Sequence, residues 1–485
     1  MREGELLSRQ LIFSFVRNFA VWRCGHSSRG LSTRVACGAS LLACFATCAI
    51  AQVTVLTHVT IIDGTGAPPQ RNAALVIEGD KIRAIRSAGQ PVPRGAKTID
   101  LSGKTIMPEI VNTHGHLGLL KGTKMSSTNY TEDNVERQLL QYQDYGVGAV
   151  QVMGTDHDEI YAWRNESRQG KREGALIYSA GRGFGVPGGL PPAALGMDAV
   201  YRPASADEAR KDVQELASHH PDVVKMWVDD FWGQFPKMKP EVYSAIIDEA
   251  HKQHLRVAAH VYHEEDAQRL VDLDIDIFAH SVRDGLIPDS LISEMKHKGV
   301  SYIATMSLDD FATAYGDDPA WINDPFFRDS LEPGVYEMIT STEYKQSIQA
   351  DKKTAAETAA LSIALKNFKK VYDAGIAVAL GTDSGATPVR AFGFAEHREL
   401  QLLVRAGLTP LQAITVATMN GAALLHASDQ FGTLTPGLKA NFIVLEKDPS
   451  ADIRNSETIS SVWKSGKQVS RGPRERVPQP LSPAE

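Results

Sequence analysis

The stretch "MPEIVNTHGHLG", residues 107–118, closes an apolar run with two histidines separated by one glycine. Successive side chains of an extended strand alternate between faces, so His114 and His116 point the same way and Gly115 the other. Two imidazoles aimed at one point suit a metal ion. A lone His-x-His does not distinguish ligation from a pair of satisfied core histidines, so the rest of the chain has to decide.

Working outward, residues 52–105 read as short strands ("VTVLTHVTIIDGTG", "AALVIEGDKIRAI", "TIDLSGKTIM") separated by Asp-Gly and Gly-Asp turns. A matching β-like piece returns near the carboxy terminus in "GTLTPGLKANFIVLEKD" and "ISSVWKSGKQV". Two such pieces at opposite ends of a chain can pair into one small domain. Between them, short apolar runs alternate with helical stretches, the rhythm of parallel β/α units. Eight strands are expected, at 106–113, 147–153, 175–180, 223–228, 256–261, 275–279, 301–306 and 376–381. Among the helices, "SADEARKDVQELASHH" offers Ser205 and Glu208 as a capping box, and "PEVYSAIIDEAHKQH" repeats apolar residues at helical spacing. The reading is an α/β fold: a (β/α)8 TIM barrel with a small β-sandwich domain built from both chain ends. The expected divisions are 52–106 and 429–470 for the β-sandwich, 107–428 for the barrel and 471–485 for a flexible tail. The seventh crossover is the longest, and its Trp321, Phe326 and Phe327 make it a candidate lid or a plain surface excursion.

Barrel enzymes keep their active sites at the carboxy-terminal ends of the strands. Strand one ends in His114 and His116; strand four, "VVKMWVDD", carries Lys225; strands five, six and eight bring His260, His280 and Asp383. Each histidine alone reads equally as a core residue, and Asp383 as a turn or cap residue. Lys225 is harder to dismiss. An ammonium among Val223, Val224, Met226 and Trp227 costs several kcal/mol, on the order of the transfer penalty for a buried charge, unless it is neutralised or paired. Its amine can instead take up carbon dioxide as a carbamate, an anionic, bidentate group able to bridge two divalent cations.

The set "HGH", "VVKM", "AAH", "FAH" and "GTDSG", in this order, resembles the amidohydrolase superfamily. The carboxy-terminal half, "HRELQLLVRAGLTPLQAITVATMNGAALL" followed by "FGTLTPGLKANFIVL", resembles its imidazolonepropionase-like and Xaa-Pro dipeptidase branch. The resemblance implies two divalent metal ions, zinc by ligand chemistry, one held by His114, His116 and Asp383 and the other by His260 and His280, with carboxylated Lys225 bridging them. It further implies a metal-bridging hydroxide as nucleophile, Asp383 as proton shuttle, and Tyr262 donating to the developing oxyanion or contacting substrate. Arg283, three residues after His280, is a candidate for the substrate carboxylate, or else the partner of Asp284 or another loop acid. The sequence departs from the family pattern at Glu109 (usually Gly), Asn112 (usually Asp) and Asn441 (usually Asp). It departs again at Leu190, which follows paired glycines where dipeptidases of the branch have histidine.

The chain has 485 residues, 43% hydrophobic and 22% charged, with a formal net charge of −7, an ordinary globular composition without the basic footprint of a nucleic-acid binder. Small-molecule substrates are the expected partners, and a homo-oligomer the expected assembly. The first 51 residues hold six arginines and two acids, then "VACGASLLACFATCAIA" with Ala49-Ile50-Ala51 as a small-x-small cleavage site. They read as a signal peptide, with a retained anchor or lipidation at Cys44 as alternatives. All four cysteines (Cys24, Cys37, Cys44, Cys48) lie there, so a cleaved product carries no thiol and suits a periplasmic or secreted location, with no membrane association after cleavage.

The expected function is a binuclear metal-dependent amidohydrolase acting on a small substrate, a dipeptide or N-acyl amino acid. The alternatives are a hydrolase of cyclic amides or lactones and, from another class, an inactive barrel scaffold.

Overall fold

A computed structural model describes residues 52–473, and the expected signal peptide and tail beyond residue 473 lie outside the described residues. Strands from both ends of the chain meet in one sheet. Its order runs Lys467–Ser470, Ile459–Lys464, Phe442–Leu445, Thr105–Pro108, Val53–Ile61, Gln70–Glu78, Lys81–Ser87, with Lys97–Asp100 pairing separately to Val53–Ile61. The two ends join where Thr105–Pro108 runs antiparallel to Phe442–Leu445, Met107 opposite Ile443. One face packs Leu56, Leu75, Ile106, Phe442 and Trp463 into a common core, which is what period-2 alternation in these segments dictates.

All eight expected central strands form, at Ile110–Gly115, Val147–Val152, Leu176–Ser179, Val224–Trp227, Val257–His260, Ile277–Phe278, Ser301–Ile303 and Val378–Ala379. They are parallel, in one group of three (third, second, first) and one of five (fourth to eighth). Backbone hydrogen bonds cross both gaps between the groups. Thr113 N–H donates to Leu380 O (2.9 Å) and Thr382 N–H to His114 O (3.0 Å) at one, and Phe184 N–H to Lys225 O (2.8 Å) and Trp227 N–H to Phe184 O (3.0 Å) at the other. Strands such as "VGAVQV" and "VKMW" are buried on both faces, so an unbroken apolar run is what they require.

Two expected strands differ. The run at 106–113 is two strands: Thr105–Pro108 belongs to the end sheet, and the barrel strand begins only at Ile110. The change of sheet falls at Pro108, whose missing N–H and fixed φ interrupt a ladder. The seventh strand stops at Ile303, because Thr305 turns into the left-handed region (φ 49°) and Met306 opens a helix, Met306–Ala314.

The seventh crossover is helical rather than an irregular loop. It forms helices Pro325–Arg328, Val335–Thr340, Thr342–Ala350 and Thr354–Asp373 after Met306–Ala314. Phe327 is fully buried with Phe311, Tyr315 and Phe394, and Trp321 and Phe326 pack against that cluster, with Trp321 edge-on to Phe327 at 4.6 Å. Its apolar content makes a satellite core; the Glu357 and Ala360 side of the last helix borders the cleft.

Candidate metal centre and substrate cleft

The strand register brings the six expected ligands under one mouth. The Nε2 atoms of His116 and His114 lie 2.9 and 3.2 Å from Asp383 Oδ1. The rings of His114 and His280 stand 4.5 Å apart, those of His260 and His280 4.3 Å. Potential ligand atoms of His114, His280 and Asp383 all fall within 4.8 Å of one another. Gly115 explains the spacing of the opening motif: a Cβ there would lie 2.9 Å from both the Tyr142 hydroxyl and Val150, so the face opposite the imidazoles is closed to any side chain.

The outer nitrogens are fixed from behind. His114 Nδ1 contacts Ala279 O (2.7 Å), His116 Nδ1 the Thr155 hydroxyl (2.8 Å) and His280 Nδ1 the Thr305 hydroxyl (2.7 Å), leaving Nε2 of each toward the centre. His260 is held the other way: its Nε2 contacts Asp229 Oδ2 at 2.9 Å, which leaves Nδ1 as its ligand atom. Such partners orient metal-binding histidines and set their tautomers.

Lys225 is the test of fit. Its side chain is wholly buried, and its ammonium has no hydrogen-bonding partner among the described residues. Gly154, at φ +92°, makes its cradle, since a Cβ there would come within 2.8 Å of Lys225 Cγ. Burial lowers the lysine pKa to about 7, so near neutrality much of it is the free amine, the form whose lone pair can add to carbon dioxide. Burial, with Lys225 beside it, likewise lowers His114 to about 3 and keeps it a neutral ligand. An orphaned buried amine among four imidazoles and a carboxylate is a donor set in want of cations, and the residues fit a metal centre.

Burial alone would raise Asp383, but Arg390, His114 and His116 hold it well below the usual carboxylate range. The Arg390 guanidinium donates directly to Asp383 Oδ2. Behind this seam Glu396 is fully buried and accepts from Asn112 Nδ2 (2.7 Å), the Thr382 hydroxyl (2.7 Å), the Ser384 hydroxyl (2.8 Å) and Gly393 N–H (2.7 Å). This accounts for Asn112: an aspartate there would face a second carboxylate, whereas the amide donates to Glu396 and its Oδ1 accepts His114 N–H (2.9 Å). Two other departures also meet, as Glu109 and Asn441 line the same small cavity.

Above the ligands opens a cleft. Tyr262 and Arg283 are on its wall, as is Leu190, so that departure from the family pattern falls on the substrate pocket. Arg283 is already paired: its Nε lies 3.1 Å from Asp309 Oδ1, both groups almost fully buried, and its guanidinium stands 5.0 Å above the Tyr262 ring. The partner is Asp309, while Asp284 instead holds His263 Nδ1 (3.0 Å) and Glu264 N–H (2.9 Å). Arg390, also on the cleft, keeps 18% of its side chain exposed. Sequence reasoning misses Asp229, Asp309, Arg390 and Glu396; the one signal it offers is Asp229, four residues after Lys225 in "VVKMWVDD".

Comparison with known proteins now decides the family. A profile of the amidohydrolase family matches residues 105–469, three quarters of the chain. The chain belongs to the amidohydrolase family. It is a hydrolase of carbon–nitrogen bonds, of a family that is metal-dependent and acts on small molecules. The chain is 26% identical over 473 residues to an ochratoxinase of Aspergillus niger, covering 87% of this chain and 88% of that one. A shorter stretch of 107 residues is 36% identical to an imidazolonepropionase of Deinococcus deserti, 21% of this chain and 26% of that one. Among solved structures, a Xaa-Pro dipeptidase with bound methionine superimposes with TM-score 0.69 at 21% identity, over 86% of this chain and all of that one. The fold is thus the TIM-barrel fold of this family. No helix among the described residues is long and apolar enough to cross a membrane.

Proposed function

We propose that this amidohydrolase cleaves the amide bond of a dipeptide or N-acyl amino acid at a binuclear centre, with Lys225 carboxylated and shared between the two metal sites. One site comprises His114, His116 and Asp383, the other His260 and His280. Imidazole and carboxylate donors favour zinc. The observation that carries this reading is Lys225, wholly buried and without a partner among the described residues. The metal pair, when bound, supplies Lewis acidity for activating water and polarising the scissile carbonyl.

The chain's own groups do the rest. Asp383, kept anionic by Arg390, takes the proton from the attacking water and delivers it to the departing nitrogen. Tyr262 donates its hydroxyl to the oxyanion that forms at the carbonyl. A free substrate carboxylate is met by Arg390, the more open of the two guanidinium groups on the cleft, while Arg283 contributes its field with Asp309 as standing partner. Leu190, in place of a polar group, turns the pocket toward apolar substituents.

The same reading treats residues 1–51 as a signal peptide directing the protein to the periplasm or beyond, and the mature enzyme as a homo-oligomer. It takes 107–428 as the barrel and the eight-stranded end sheet (52–106 and 429–470) as a sandwich folded around Leu56, Leu75 and Phe442.

A panel of free-acid dipeptides, N-acyl amino acids, lactones and imidazolones tests the substrate class. The expected result is hydrolysis of the open-chain amides, abolished by chelation and restored by zinc. Turnover confined to the cyclic compounds would replace this reading with the ring-opening one, and no turnover of any compound by metal-loaded protein would favour an inactive scaffold.

A further inference from the structure

An aromatic wall runs from the metal-ligand floor to the rim of the cleft. Trp227 ends the fourth strand, its ring 5.4 Å from the Lys225 ammonium nitrogen. Tyr262 and Trp232 meet edge to face at 5.4 Å and 67°, and Trp232 and Phe231 are tilted at 58° with centroids 4.7 Å apart. All four line the cleft. Facing apolar groups are aliphatic: Leu308, Ala312, Ala360 and the Leu190–Pro192 segment.

The outer end of this wall is held against backbone preference. Phe231 (φ 50°) and Trp232 (φ 58°) are consecutive and both left-handed, a conformation in which an L side chain crowds its own carbonyl. Bulky residues kept there mark places where the surrounding structure over-determines the backbone, often for binding. Here the determinant is visible: Asp229 Oδ1 accepts Asp230 N–H (2.8 Å) and Phe231 N–H (3.1 Å), while its Oδ2 holds His260. One carboxylate therefore ties the aromatic turn to a proposed metal ligand. The Lys353 ammonium lies over both rings, 4.5 Å from Phe231 and 5.3 Å from Trp232. Even so, Phe231 remains 38% exposed, as few large apolar residues of the described chain are.

We propose that Phe231 and Trp232, continued inward by Tyr262 and Trp227, form a subsite for a planar aromatic ring on the substrate, so that the preferred substrate is an aromatic amide. Tilted and edge-to-face rings leave π faces and positive edges available, and a planar ligand completes that arrangement where a saturated ring of the same size cannot. This inference rests on the amide-hydrolase reading for the identity of the substrate, but the subsite itself is a matter of binding.

The test is calorimetric titration of the metal-loaded full chain with benzoate and with cyclohexanecarboxylate, whose shared carboxylate cancels in the comparison. Benzoate is expected to bind about five-fold more tightly, the magnitude of one aromatic contact beyond its area. Phe231→Leu and Trp232→Leu keep an apolar group and are expected to bring the ratio close to one. Equal affinities in the unsubstituted protein, or a preference that survives both substitutions, would overturn the subsite. The first of these outcomes needs only the unsubstituted protein, so a variant that does not fold leaves the proposal open to refutation. A benzoate preference in a protein that hydrolyses no amide would defeat the amide-hydrolase reading and leave the subsite standing; amide hydrolysis without the preference would do the reverse.

Discussion

The floor and the rim of the cleft are built on opposite principles. On the floor, His114, His116, Lys225, His280 and Asp383 are all nearly inaccessible; His114 Nε2 has only the 3.2 Å approach of Asp383 Oδ1 and no hydrogen bond, and Lys225 Nζ has no hydrogen bond among the described residues. Toward the rim, charges come in pairs, Asp229 with His260, Arg283 with Asp309 and Arg390 with Asp383, and the Lys353 ammonium lies over two rings. A buried polar group without a partner is a cost that folding alone does not offset, whereas a paired rim can stand by itself. The floor is thus organised around something the polypeptide does not supply, and the rim around holding the floor and selecting what reaches it.

Asp383→Asn attacks the floor where the chemistry is placed. It removes the proton acceptor while keeping a ligand oxygen, so kcat should fall about 10²- to 10⁴-fold while metal content changes far less. Turnover within a factor of about ten of the original would take the proton shuttle away from Asp383.

The two rim arginines separate pairing from recognition. Arg283→Met leaves Asp309 buried and unbalanced, so denaturant unfolding should report a loss of about 3 to 5 kcal/mol. Arg390→Met should leave stability closer to the original and cost about 30- to 150-fold in kcat/KM on free-acid substrates, the worth of a charge-assisted contact of about 2 to 3 kcal/mol. Esterified substrates should lose less, keeping only the part of the loss that comes from Arg390's hold on Asp383. Equal losses on free and blocked substrates would remove Arg390 from recognition, and a free-acid-specific loss in Arg283→Met would return that role to Arg283.

A smaller effect is expected where rim and floor touch. Asp229→Asn keeps the shape but weakens the hold on His260 Nε2, and metal affinity, read by competition with a chelator, should fall about 10- to 100-fold. Unchanged affinity would make Asp229 a determinant of the Phe231–Trp232 turn only.

The same division explains what was legible in the sequence. The floor hangs on strands that are buried on both faces, and an unbroken apolar run interrupted by one lysine or closed by a histidine stands out at single-residue level. The eight strands, and the six candidate residues that they bring together, were readable for that reason. The split at Pro108 was not, because the apolar run continues across it while the chain changes sheets. The partner acids sit on helices whose approach is set by tertiary packing: Asp309, in Met306–Ala314, is 26 positions from Arg283, and Glu396, in Phe394–Arg405, is 284 positions from Asn112. Nothing local in "SLDDF" or "FAEHREL" marks those acids. The satellite core of the seventh crossover was not legible for a related reason, since Trp321 and Phe327 advertise burial without saying against what.

The central claim is that Lys225 is a shared ligand of two metal ions. Elemental analysis of protein expressed with zinc and bicarbonate, then dialysed, tests it most directly in parallel with Lys225→Ala. About two equivalents per chain are predicted for the original and one or fewer for the variant, since Lys225 is the ligand proposed to be common to both sites. Two tightly held equivalents and undiminished turnover in Lys225→Ala would contradict the account.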